Sequence, residues 1–308
     1  MILAEPGDIH ALVVLQRLHN LGSRNSFIWD TSRFPVVDRA SQTINSTSRV
    51  SEIVSSSAGK FRLADLRAVW CRRPAAARVA PDVRDEATRS YCKQEAWDVL
   101  WGALTSLDVP LINKPASEYL AERKGLQLSV AAASGLRVPA TLLSNDPTAV
   151  RDFYEECERR VVFKASTPPA EMTMPTQVLE SEHLQHLDLL RSAPVIFQRL
   201  VPPGVDVRVT VVGQRIFAAE ARTTCMDWRT DPNLKWRARS LSQPDAGAIL
   251  ELMRRLDLAT GSLDFRVDED GELVFFEVNP GGQFLFLEIS DPELAISAEL
   301  AALLLSAS

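Results

Sequence analysis

Apolar and polar positions change period several times along this chain, and the changes divide it into segments. Ile9, Leu12, Val13, Leu15, Leu18 and Leu21 recur at helical spacing, with Asp8 placed to cap the start and Gly22 to stop the end. Short apolar runs at 1–4, 27–29 and 68–70 read as strands. A strand, a helix and a second strand in so few residues imply a parallel sheet. A helix over about 82–104 places Tyr91, Trp97 and Trp101 at core spacing. Farther on, 115–134 reads as one helix ended by Gly135, 138–143 as a strand, 147–159 as an amphipathic helix, 160–164 as a strand closed by Lys164, and 194–201 as another strand.

The last third alternates differently. Residues 205–222 form a predicted hairpin with Gly213-Gln214 as a type II′ turn. Its register puts Arg208 opposite Ala219 and Arg222 opposite Val205, so the two arginines fall on opposite faces. A helix over 245–256, opened by Ser242, separates it from a second hairpin, and 295–305 closes the chain as an amphipathic helix. In the second hairpin Asp270-Gly271 reads as a two-residue turn, pairing Glu269 with Glu272 and Asp264 with Glu277. Asn279 shares the face of Glu277, while Leu263, Phe265, Val267, Val274, Phe276 and Val278 make the other face a core face. Carboxylates directly opposite each other repel unless something compensates. A few hard oxygen ligands suit a Mg²⁺ ion that keeps waters and meets substrate phosphates. The strand then ends in Asn279-Pro280-Gly281-Gly282, which stops pairing where the polar groups sit.

Asp264 with the Glu277-x-Asn279 strand resembles the metal-binding end of the ATP-grasp ligases. The phrases SLDFRV and FFEVNPGGQFLFLE, with VWCRRP, NKPASEYLAERKGLQL and DWR, resemble the microviridin or graspetide branch, whose enzymes cross-link ribosomally made peptides. The resemblance implies an α/β ATP-grasp fold with an N-terminal parallel α/β pre-ATP-grasp domain at 1–110, a central lobe at 111–200 and a C-terminal lobe at 201–308. It implies ATP and Mg²⁺ as cofactors and a precursor peptide, leader and core, as partner. By the same resemblance Lys124 and Lys164 hold nucleotide phosphates, and Gln198, Arg199, Leu200 and Val201 occupy the adenine-binding hinge. Asp206 takes the ribose-binding position and Arg229 a phosphate-binding one. Arg208 and Arg222 hold the acyl-phosphate or the acceptor carboxylate, and Asp264, Glu277 and Asn279 hold the metal. The implied activity is conversion of Asp or Glu side chains to acyl-phosphates, then ester or amide closure; a ligase that adds an amino acid to a carboxylate is the alternative. Residues 165–180 carry no glycine where many ATP-grasp enzymes place a glycine-rich flap.

Composition narrows the remaining choices. The chain has 308 residues, 46% hydrophobic and 24% charged, with a net charge of −6 that argues against bulk nucleic-acid binding. It has no apolar run of membrane-spanning length, and Glu5 and Asp8 near the start do not fit a secretory signal. Cys71, Cys92, Cys157 and Cys225 are scattered, as in a cytoplasmic protein with reduced thiols. Arg72 and Arg73 read as a solvated strand end, with recognition of acidic peptide groups as the other reading. His10, His19, His183 and His186 read as surface or structural. The sequence leaves a homodimer open.

Overall fold

The computed structural model describes residues 1–47, 49–55, 58–106, 108–166 and 175–307. The first lobe is built on a parallel sheet. Strands β1 (Ile2–Leu3), β2 (Ile28–Trp29), β6 (Val69–Cys71) and β7 (Leu111–Ile112) lie in the order β2-β1-β6-β7. Helix α1 (Ile9–Asn20) makes the first crossover, and Asp8 caps it by accepting from the Ala11 amide at 2.9 Å. Between β2 and β6 the chain makes an antiparallel sheet of β3 (Arg39–Ile44), β4 (Arg49–Ser55) and β5 (Gly59–Arg62), which the sequence pattern had not delineated. Helix α2 (Glu86–Thr105) covers one face. Trp101 is buried there, but Tyr91 is 63% and Trp97 40% exposed, so those two do not join the core that helical spacing predicts.

The predicted single helix over 115–134 is two helices, α3 (Pro115–Ala121) and α4 (Lys124–Ala133). The break at Glu122-Arg123 sets Lys124 at the first turn of a new helix. The central lobe follows as strands β8 (Thr141–Ser144), β9 (Val161–Lys164), β10 (Gln177–Val178) and β11 (Val195–Arg199), antiparallel in the order β10-β9-β11-β8, packed on α5 (Pro147–Glu156). Part of the glycine-free segment, 167–174, lies outside the described residues.

The largest sheet is antiparallel: β14 (Arg237–Ala238), β13 (Arg215–Arg222), β12 (Val205–Val212), β15 (Thr260–Val267) and β16 (Leu273–Asn279). One face carries Val207, Val209, Val211, Leu263 and Phe265, sealed by α4 and by Ile249, Leu252 and Met253 of α6 (Gln243–Arg255). Each such large side chain removed from water contributes about 1.5–3 kcal/mol. The other face carries the polar side chains described below. Helices α7 (Leu285–Ser290) and α8 (Ile296–Ser306) return to the first lobe, where Leu300 and Leu304 share a core with Val14, Leu18 and Ile2. The first and last segments of the chain therefore close one core.

Candidate active site

The β12–β13 register is the one counted from sequence, with Arg208 opposite Ala219 and Val205 opposite Arg222. Gly213 has φ +59° while Gln214 is not left-handed, as a II′ turn requires. The β15–β16 hairpin is different in detail. Its loop holds Glu269, Asp270 and Gly271 between Asp268 and Glu272, and of these only Gly271 has positive φ. The longer loop shifts the pairing by one residue, so Phe265 faces Phe275. A bulge then leaves Phe276 unpaired and restores Asp264 opposite Glu277. Two departures from the simple count offset each other at the polar end. Between them they exchange two aromatics: Phe275 is fully buried against Phe265, and Phe276, expected in the core, lines the polar cavity.

Asp264, Glu277 and Asn279 meet on the face opposite the α6 core. The Asn279 amide Nδ2 donates to Glu277 Oε1 at 3.0 Å and to Asp264 Oδ2 at 3.3 Å. Arg208 Nη1 sits 2.7 Å from Asp264 Oδ1, and the Lys124 ammonium is ion-paired with Glu277. Burial and the facing Glu277 carboxylate push the Asp264 carboxyl up against the pull of Arg208. Burial also pushes Glu277 up, but Lys124, Asn279 and Lys164 outweigh it and hold Glu277 down at about 2. Among the described residues no three His, Cys, Asp or Glu side chains converge as a metal cage. The donor set is two carboxylates and an amide, which suits a hydrated hard cation that takes its other ligands from phosphates.

Lys164, at the end of β9, stands over the Phe276 ring at 6.0 Å. Burial lowers its pKa, opposed by Glu277 and helped by Lys124. Around it two cavities meet. One, of about 130 Å³, is lined by Gln198, Arg199, Leu200, Val201, Asp206 and Phe276. The other, a cleft of about 900 Å³, runs from Lys124 and Asn279 out past Trp97, Trp101 and Tyr119. Lys164, Arg229, Asp264 and Glu277 belong to both walls.

Several expected residues have partners that change their reading. Asp206, expected at a ribose, is buried and held by Arg266, whose Nε and Nη2 lie 2.9 and 3.1 Å from its two oxygens. Arg266 also donates to the Val201 carbonyl at 3.2 Å, tying the hinge to β15. Gln198 is buried and donates to Thr141 Oγ1 at 3.0 Å. The Arg199 and Leu200 amides already donate to Ala140 and Arg160 carbonyls at 2.9 and 2.8 Å, and the Arg199 side chain is turned out toward Glu158 at 3.5 Å. Arg229 forms a two-pronged pair with Asp227, 2.7 Å at its shortest, beside the cleft. Arg222 is not brought to the site: strand alternation places it on the opposite face from Arg208, exposed, beside Asn233 and Lys235.

Arg72 corrects the expectation of a solvated strand end. It is 3% exposed, bonds to the Gly281 and Gly282 carbonyl oxygens, and lies 3.3 Å from Asp8 Oδ2. Arg266 shares the polar face of Asp264, so strand alternation could have found it. The burial of Arg72 depends on contacts more than two hundred positions apart and leaves no local signal.

A family model for the MvdD pre-ATP grasp domain matches residues 3–118. The macrocyclase MdnC of Microcystis aeruginosa, solved bound with precursor peptide MdnA, is 30% identical, with 99% of this chain and 98% of that chain covered at a TM-score of 0.89. This chain belongs to the microviridin-type ATP-grasp ligases. A Chryseobacterium gregarium RiPP-associated ATP-grasp ligase, solved with ADP and a leader and core peptide, is 25% identical over 100% of this chain and 96% of that one, at a TM-score of 0.88. Macrocyclase MdnB from Microcystis aeruginosa is 27% identical over 98% and 97%, at 0.81. No curated protein matches the sequence. As an ATP-grasp ligase the chain has the expected fold class, a mixed α/β architecture with a parallel sheet first.

Proposed function

We propose that this ligase uses ATP to convert Asp or Glu side chains of a ribosomal precursor peptide to acyl-phosphates and closes them onto hydroxyl or amine side chains of the same peptide. The observation that carries the reading is the junction of two cavities at Asp264, Glu277, Lys164 and Arg229, with Lys124 beside it on the larger one. The smaller, at the hinge, would take the nucleotide's base, and the larger the peptide. The full-length likeness to MdnC, solved with its precursor peptide, supports the same substrate class.

Asp264, Glu277 and Asn279 would hold Mg²⁺, with the Asn279 amide turned to present Oδ1. The ion when bound neutralises phosphate charge. Lys124 would leave Glu277 for the phosphates, and Lys164, half-buried over Phe276, would join it as a point charge. A peptide carboxylate oxygen attacks the γ-phosphorus and ADP departs. Arg208, fixed by Asp264 and by the Gln283 carbonyl at 3.2 Å, lines the large cleft and would meet the charge of the acyl-phosphate. The acceptor then attacks the acyl carbon and phosphate leaves. Positioning and fixed charge supply most of the catalysis in such transfers.

The net charge of −6 supports a peptide rather than a nucleic-acid partner. Four free cysteines support a cytoplasmic setting, and among the described residues no helix is long and apolar enough to cross a membrane. We leave a homodimer as an outcome of mass measurement in solution. The reading is tested with purified protein, ATP, Mg²⁺ and precursor peptides encoded beside the gene, followed by mass spectrometry. Loss of one water per link with matching ADP release is expected; a mass gain, or ADP with an unchanged peptide, overturns it.

A further inference from the structure

Resting on that reading, we propose that Glu118 takes the proton released when the acceptor hydroxyl or amine attacks the acyl-phosphate. Four carboxylates line the large cleft: Glu118, Glu122, Asp264 and Glu277. Asp264 is occupied by Arg208 and Glu277 by Lys124, and both also line the smaller cavity. Glu122 is exposed at the helix break. Glu118, on α3, is half-buried and makes no ion pair within 4 Å among the described residues. No histidine lines the cleft among the described residues.

Glu118 is also held in place. Asn113 Nδ2 donates to Glu118 Oε1 at 3.1 Å and to the Thr260 carbonyl at 2.9 Å. Asn113 Oδ1 accepts the Ala259 and Thr260 amides at 2.8 and 2.9 Å. The amide is 1% exposed and fully satisfied, so it fixes one oxygen of Glu118 relative to β15, the strand that carries Asp264. The Asn113 backbone bonds to the same carboxyl, and the lone pairs that Asn113 leaves over are the basic ones. The groups around the carboxyl are Glu122 one turn on, Cys71 and Arg72 at the end of β6, and Lys124 and Arg73 across the same cleft. Burial pushes the Glu118 carboxyl up to about 7, with Glu122 adding to the rise and Asn113 and Arg72 opposing it. A base so tuned is half-ionised at neutral pH and can accept a proton without being tied to a fixed cation.

The step balances. The acceptor oxygen or nitrogen forms its bond to the acyl carbon, the carbon–oxygen bond to phosphorus breaks, and phosphate leaves with that electron pair. The acceptor's proton goes to the Glu118 carboxylate and from there to water.

The test is single-turnover reaction with precursor peptide, ATP and Mg²⁺ in the presence of hydroxylamine, which captures acyl-phosphates as hydroxamates without a protein base. In Glu118→Gln the ratio of hydroxamate to ring product is expected to rise at least about 100-fold. The rise of ring closure with pH through about 7 in the wild type is expected to disappear in the variant. Glu118→Asp should restore ring closure in part, with its pH dependence displaced. Ring closure in Glu118→Gln within about 3-fold of wild type overturns the proposal, as does equal loss of hydroxamate and ring product. Wild-type protein that forms neither ADP nor hydroxamate overturns the underlying function, and that failure shows in the wild type rather than in the variant.

Discussion

Arg72 reaches from the end of the parallel sheet to the Gly281 and Gly282 carbonyl oxygens, closing the first lobe onto the turn that follows the polar hairpin. The guanidinium is buried beside Asp8. Removing it leaves the largely buried Asp8 carboxylate without its cation and two half-buried carbonyls without their donor. Arg72→Met is therefore expected to lower stability by about 3–5 kcal/mol, read as a shifted urea midpoint. Arg72→Lys should recover little, because an ammonium cannot span the same acceptors as a planar fork. Wild-type stability in Arg72→Met would show that the clamp is idle.

Gly282 is packed where no side chain fits. A Cβ there would lie 2.4 Å from Ser262 Cβ, 2.6 Å from Ser262 Oγ and 3.0 Å from Arg208 Nη2. Gly282→Ala is expected to cost about 1–3 kcal/mol and to displace Arg208, lowering turnover. Ser262→Gly in the same chain should recover most of the loss, and a double-mutant cycle measures the coupling. Additive effects would mean that the turn relaxes elsewhere.

Strand period and turn residues gave the β12–β13 register directly, since Gly213 alone needs positive φ there. The pairing of Asp264 with Glu277 came out through two offsetting shifts, and Phe276 shows the cost: a bulge has no period to announce it. Lys124 and Lys164 were legible by resemblance to a family motif. The Asp206–Arg266 fork was legible in principle from alternation. Arg72 and Glu118 were not, because their environments are assembled from segments distant in sequence.

The facing pair Asp264 and Glu277 leads to a prediction about cations. Either Asp264→Asn or Glu277→Gln relieves the repulsion between the carboxylates but leaves Arg208 or Lys124 without its partner, so the variants should remain folded with modest shifts in Tm. Nucleotide affinity in the wild type should depend on Mg²⁺, and in each variant that dependence should fall on the order of 100-fold. Titration of ADP with and without Mg²⁺ reads it. An unchanged Mg²⁺ dependence would remove both residues from the metal's ligand set.

Arg222 supplies the opposite kind of prediction. It lies outward on β13, across the sheet from the cleft. Arg222→Ala is expected to leave ring closure within about 2-fold and stability within about 0.5 kcal/mol, as for other exposed substitutions. Arg208→Ala, by contrast, should lose ring closure by at least about 100-fold, as loss of a charge-stabilising donor does. Comparable losses in both variants would return Arg222 to the chemistry.

Glu118 predicts a stability signature that is independent of turnover. Its carboxyl is raised in the folded protein from an ordinary 4.5 to about 7, chiefly by burial. A carboxyl raised on folding contributes its full stability below pH 4.5, where it is protonated in both states. That contribution is lost as pH rises through about 7, because the folded state must then hold the charge against burial. Glu118→Gln, which keeps the Asn113 contact without the charge, should match the wild type in Tm near pH 4.5 and exceed it at pH 8. Parallel Tm curves across that window would mean that Glu118 titrates as a solvated side chain, and the tuned base would lose its basis.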